Sequence, residues 1–95
     1  MTVWRVFYSE TSLKQARSLD PSIKPVVKSR IEELQGDPYV GKPLERELAG
    51  YYSYRAKRFR IIYKIDHPTQ TVQIHYIGRR KDVYELLKEM LIKTS

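Results

Sequence analysis

Residues 51–81 of this 95-residue chain carry Arg55, Lys57, Arg58, Arg60, Lys64, Arg79, Arg80 and Lys81 against a single acid, Asp66. The remaining residues hold ten cations and ten acids, so the entire formal charge of +7 resides in this one contiguous third. Guanidinium groups match phosphate oxygens through two parallel N–H···O bonds, and a lysine ammonium adds a compact point charge. The chemistry on offer is therefore recognition of a polyanion: nucleic acid, anionic lipid or an acidic protein. Scattered lysines would suit a merely solvated basic surface, whereas arginines clustered on strand-forming sequence favour a binding surface. Other chemistries are poorly supplied. There is no cysteine, hence no disulfide and no thiolate metal site, and the only histidines are His67 and His75. No metal and no cofactor is expected.

Several elements must position these cations. VWRVFY, residues 3–8, has the β-branched and aromatic content of a strand. Thr11 or Ser12 is placed to cap a first helix running to about Leu19, with Leu13 and Ala16 on one face, and Asp20-Pro21 ends it. Ile23, Val27, Ile31 and Leu34 recur at helical spacing, with Pro25 in the first turn where no backbone bond is lost. Gly36-Asp37-Pro38 closes this second helix, residues 36–43 form a loop, and residues 44–48 stay ambiguous. Strands are expected at 51–57, 59–65 and 71–77, with Asp66-His67-Pro68 turning the last two. Asp82 and Glu85 form a capping box opening a helix with Val83, Leu86, Leu87 and Met90 on one side.

The expected order is β-α-α-β-β-β-α: a small single α+β domain spanning 1–95, with an antiparallel sheet, a helical hairpin packed on one face and the other face open. No segment is long and apolar enough to span a membrane, and the N-terminus, interrupted by Arg5, has no signal-peptide form. A cytoplasmic location is expected.

Strand alternation assigns the faces. Tyr52, Tyr54, Phe59, Ile61, Tyr63, Val72, Ile74 and Tyr76 are expected on the helical side. Arg55, Lys57, Arg60, Lys64, His75 and Arg79 are expected on the open side, with Arg58 at the hairpin tip and Ile62 and Ile77 as an apolar floor. Like charges on facing strands repel one another, and a bound anion relieves that cost. The open face is accordingly read as phosphate-binding. Tyr51 and Tyr84 fall outside the core pattern and are candidates for stacking on a base. His75 reads more simply as a satisfied sheet histidine than as a catalytic base.

The element order, RFRIIYKI at 58–65 and IGRRKDVY at 77–84 resemble the RelE/ParE superfamily of toxins from prokaryotic toxin–antitoxin pairs, as do ELAG at 47–50 and the loop GDPYVGKP. The RelE branch consists of ribosome-dependent mRNA endonucleases acting in the ribosomal A site, and the ParE branch poisons DNA gyrase on the same fold. The resemblance implies mRNA, the ribosome and an acidic antitoxin as partners. Carried over position by position, it assigns catalysis to Arg55, Lys57, Arg60, Arg80 and Tyr84, with either Lys57 or Arg58 in the second basic slot. Arg58, Lys64, Arg79, Lys81 and Tyr51 are left to bind RNA.

RNA cleavage needs a base for the 2′-OH proton, a cation for the phosphorane and an acid for the leaving 5′-oxygen. With no carboxylate on the open face, Lys57 is the base candidate, flanked by arginine charges that favour its neutral form. Arg60 and Arg80 would stabilise the phosphorane, Arg55 would orient the phosphate, and Tyr84 would stack or assist proton transfer. Two rivals stand beside this expectation: a ParE-like gyrase poison, and a basic module that only docks RNA or antitoxin.

Overall fold

A computed structural model describes residues 3–79. The helix expected from Asp82, together with Arg80, Lys81 and Tyr84, lies outside the described residues. The described elements are β1 (Arg5–Tyr8), α1 (Glu10–Arg17), α2 (Lys24–Gly36), β2 (Lys42–Pro43), β3 (Tyr51–Ala56), β4 (Phe59–Asp66) and β5 (Thr71–Arg79), with short 3-10 turns at Pro38–Val40 and Arg46–Leu48. The five strands form one sheet in the order β1-β5-β4-β3-β2. β3, β4 and β5 make the expected antiparallel meander. β1 joins β5 in parallel, so the sheet is mixed rather than wholly antiparallel. A parallel neighbour requires a long crossover, and the helical hairpin is part of that connection.

α2 follows the apolar spacing of the sequence. Val27, Ile31 and Leu34 are buried, and with Ile23 they meet Ala56, Ile61, Tyr63, Val72, Ile74 and Ile77 of the sheet in the main core. Pro25 sits in its first turn, as expected. α1 starts earlier than the sequence suggested, because Ser9 is the cap and accepts a hydrogen bond from the Ser12 amide at 3.1 Å. Ser12 is an internal, fully buried residue, while Leu13 points outward.

That burial has a structural reason. β1 ends at Tyr8 whereas β5 runs on to Arg79, leaving the outer backbone edge of β5 without a strand neighbour beyond Ile74. α1 supplies the missing partners. The Ser12 hydroxyl donates to the Ile74 carbonyl (2.8 Å), the Ser9 hydroxyl donates to the His75 carbonyl (3.1 Å), and Gln15 Oε1 accepts from the Ile77 amide (2.7 Å). Buried backbone groups must be paired, and here three side chains, from the cap and the first two turns of one helix, do it.

These bonds hold β5 at a bulge. Ile62 pairs with Tyr76 and Tyr63 with Ile74, so His75 is an extra residue in the ladder. One extra residue inverts the alternation beyond it. Ile77 therefore joins the helical-side core, whereas Tyr76 crosses to the other face, the reverse of what simple parity gives. Arg79, expected on the open face, stands opposite Phe59 on the helical side.

Candidate nucleic-acid interface

Opposite residues of neighbouring strands share a face, so the register orders the face away from the helices into rows. At the hairpin end Arg55, Arg60 and Gly78 stand side by side. The next row is Lys42, Ser53, Ile62 and Tyr76, and the third is Tyr51, Lys64, Gln73 and Phe7. The last is Asp66, Thr71 and Arg5. Rows two residues apart lie about 6.6 Å apart at 3.3 Å per residue.

The second row is not open. Leu48, Tyr51, Ile62 and Tyr76 form a separate buried cluster, with Leu44 packed against it. The segment between β2 and β3, ambiguous in sequence, folds its 3-10 turn onto the middle of the face. Ile62 was expected as a floor between cations, and it is one with a lid: its exposure is 0%. The consequence is a face split into two polar ends by an apolar ridge.

At the hairpin end, Arg55 and Arg60 are in direct cross-strand register. Arg55 is exposed and its Nε donates to the Lys57 carbonyl at 3.1 Å, which fixes its side chain against the turn. Arg60 is partly buried, and its Nε is buried with no hydrogen-bond partner among the described residues. Gly78 beside it adds no side chain, and the Tyr76 ring lies close against it, so that a Cβ there would press on that ring. The ion pairs between described residues, Lys14–Glu10 and Arg30–Glu33, each join residues of one helix and involve neither the Arg55 nor the Arg60 side chain, although Arg30 Nε donates to the Arg55 backbone carbonyl at 3.3 Å.

Lys57 and Arg58 together make the two-residue turn between Ala56 and Phe59. Lys57 was expected within the strand, but its φ of +56° ends β3 at Ala56. This left-handed conformation costs a non-glycine residue about 1–2 kcal/mol. The second basic slot is thus a tip position whichever of the two fills it.

At the far end, Lys64 Nζ sits 4.6 Å from the Tyr51 ring centroid. The His75 ring meets Tyr51 edge-on at a centroid distance of 5.3 Å. Tyr51, expected as an exposed stacking platform, is only 7% exposed and belongs to the ridge. Burial also pushes its hydroxyl above the ordinary tyrosine value. His75 is not a satisfied sheet histidine: its Nε2 is buried without a partner among the described residues. Burial first, and Lys64 second, hold its imidazole below the ordinary histidine value, favouring the neutral ring.

Alternation therefore brought Arg55, Arg60 and Lys64 to the face correctly, but not into one site. It also put Gln73 on the polar side of β5, but passed over Phe7, which completes the third row. Phe7 was visible as an odd-numbered apolar residue beside Arg5 in VWRVFY. Gly78, a glycine inside a strand, was the available sign of a close approach.

This geometry can be set beside known proteins. The family described as the ParE toxin of the type II toxin–antitoxin system parDE matches residues 4–84. The chain belongs to this toxin family. Toxin RelG of Mycobacterium tuberculosis (strain ATCC 25618 / H37Rv) is 37% identical over 83 residues, covering 85% of this chain and 95% of the relative. A chain of the M. tuberculosis RelBE2 toxin–antitoxin complex superposes with a TM-score of 0.74 at 36% identity, covering 82% of this toxin and 99% of that chain. The isolated Escherichia coli RelE toxin shares the fold, with a TM-score of 0.71 at 21% identity over 92% and 98% of the two chains. Among the described residues, no helix of the toxin is long and apolar enough to cross a membrane.

Proposed function

We propose that this toxin is a metal-independent endoribonuclease that cuts mRNA on the ribosome, neutralised by an acidic antitoxin. The observation carrying this reading is the Arg55–Arg60 pair: two arginines in register, with one guanidinium nitrogen buried and without a partner among the described residues. Such an arrangement is costly unless an anion completes it. A phosphate carrying developing negative charge fits it best.

The step balances without a cofactor. The 2′-oxygen attacks phosphorus as its proton passes to the base, the P–O5′ bond breaks, and the 5′-oxygen takes up a proton from solvent water, or from Tyr84 where that residue assists proton transfer. The products are a 2′,3′-cyclic phosphate and a 5′-hydroxyl. Arg60 stabilises the phosphorane and Arg55, tied to the turn, orients the phosphate. Of the two tip residues, Lys57 in its neutral form can take the 2′-hydroxyl proton as base, whereas Arg58, which keeps its proton, would serve in that slot only to hold the phosphate. Arg80 and Tyr84 keep the parts that the family resemblance gives them, in stabilising the phosphorane and in contacting the base. Lys81 adds charge along the RNA path, whereas Arg79, turned to the helical side, does not. Without a matched acid–base pair of its own, the toxin depends on the ribosome to orient the RNA, where positioning has a large effect.

The similarity to a relative named RelG supports the nuclease reading, whereas the family's parDE description favours a second one, poisoning of DNA gyrase without cleavage chemistry. Mapping mRNA 5′ ends by primer extension after induction, beside a plasmid assay with purified gyrase, separates them. New ends within translated codons and unaffected gyrase are expected. Gyrase-dependent plasmid breaks with intact mRNA would replace the nuclease reading by the gyrase one.

A further inference from the structure

The far end of the split face carries a feature that the cleavage chemistry does not use. Phe7, on the edge strand β1, is 68% exposed, and its register partner is Gln73, which is in turn opposite Lys64. An aromatic ring, a carboxamide and an ammonium thus follow one another across three strands. Alongside runs a groove of about 270 Å³ lined by Phe7, Tyr8, Ser9, Gln73, Ile74 and His75. Within that lining, His75 contributes the buried Nε2 that has no partner among the described residues. His75 keeps the face that alternation gives it at the bulge, and the Ser9 bond to its carbonyl holds the bulge.

The mixture of groups selects among ligands. An apolar peptide side chain would cover Phe7 and leave Gln73 and the His75 nitrogen unpaired, at the usual cost of a buried unsatisfied group. An inorganic anion would use Lys64 alone. A nucleobase uses all of them: its flat face stacks on Phe7, its edge exchanges hydrogen bonds with the Gln73 amide and His75, and its phosphate reaches Lys64. The row beyond, Arg5–Thr71–Asp66, carries one charge of each sign, so the cationic pull at this end centres on Lys64. Arg60 and Lys64 are four residues apart on β4, about 13 Å at strand rise. A base held here belongs to a nucleotide some way along the strand from the scissile phosphate.

We propose that the groove between Phe7, Gln73 and His75 is a second nucleotide subsite, which takes one unpaired base of the single-stranded RNA and grips its phosphate with Lys64. The proposal rests on the RNA reading of the face but involves different residues.

The test is binding of short 2′-O-methyl oligoribonucleotides, which cannot be cut by 2′-oxygen attack, to the purified toxin and to Phe7→Ala and Gln73→Ala. Phe7→Ala should weaken binding by roughly 5- to 100-fold, the range for loss of one stacked base. Its melting temperature should hold, because the ring is exposed. Gln73→Ala should reduce the difference in affinity between oligonucleotides of different base composition, and should alter which codons are cut on translating ribosomes. Unchanged oligonucleotide binding by both variants would overturn the subsite even where Arg60→Ala abolishes cleavage. Lost antitoxin affinity with RNA binding intact would overturn it too, marking the groove as a protein interface. A wild-type toxin that binds oligonucleotides through Phe7 yet leaves mRNA uncut would keep the subsite and remove the nuclease reading.

Discussion

The two polar ends of the sheet face differ in how their cations are held, and the difference separates chemistry from grip. At the hairpin end Arg55 and Arg60 are forced together by register, and Arg60 has a buried nitrogen without a partner among the described residues. At the far end Lys64 rests over the Tyr51 ring and has company of another kind, the amide of Gln73 and the neutral imidazole of His75. A cation lying over an aromatic face is stabilised even without ligand. An arginine facing another arginine is not. The hairpin end therefore stores a like-charge cost that an anion relieves, as a site for a charged transition state should, whereas at the far end the cation itself is already stabilised and the cost lies instead in the His75 Nε2, left without a partner among the described residues.

The sharpest way to break this contrast is to remove one cation from each end. Arg60→Ala should lower the rate of mRNA cleavage on ribosomes by about 10²–10³-fold, the usual cost of one preorganised group facing developing charge. Its melting temperature should stay level or rise, because a like-charge neighbour and an unpaired buried nitrogen are both removed. Lys64→Ala should reduce affinity for RNA and leave the cleavage step itself far less affected, as read by single-turnover rates at saturating ribosomes. Equal losses in the chemical step from both substitutions would show the face to be one continuous site.

The ridge between the ends is the next target. Ile62 is fully buried under Leu48 beside Tyr51 and Tyr76, and Ile62→Ala should cost about 2–5 kcal/mol in urea unfolding. Loss near zero would mean that the lid does not pack as described and that the face is open from end to end.

How much of this was legible in the sequence follows from the same residues. The α2 stripe at Ile23, Val27, Ile31 and Leu34 could be read directly, because helical burial repeats locally and nothing interrupts it. Arg55, Arg60 and Lys64 were placed on the correct face because β3 and β4 alternate without a break in their pairing with each other. Alternation failed beyond His75, from Tyr76 onward. A bulge is a property of two strands and of the helix that pairs its freed backbone, so neither Tyr76, Ile77 nor Arg79 announces it alone. The parallel placement of β1 was hidden for a similar reason: the residues of VWRVFY suit a strand in either direction. Tyr51 looked free since the loop that buries it, through Leu44 and Leu48, has no periodic pattern of its own.

The smallest expected effect tests whether His75 is held neutral, which the far end requires if its Nε2 is to meet a base rather than repel Lys64. Burial and Lys64 depress its pKa in the folded toxin. In the unfolded chain the ring takes up its proton near pH 6.5, while the folded toxin resists until lower pH. The unfolded state therefore binds more protons within that window, and stability is full above about pH 6.5 and declines as pH falls toward the folded value. His75→Gln removes this linkage and leaves every other ionisable group of the chain in place. Between pH 7.5 and pH 5.5 the wild-type melting temperature should fall further than that of His75→Gln. Parallel curves for the two proteins would mean that His75 titrates as it does in an unfolded chain. In that case a second cation would face Lys64 under acidic conditions, and the far end would lose the contrast with the arginine pair.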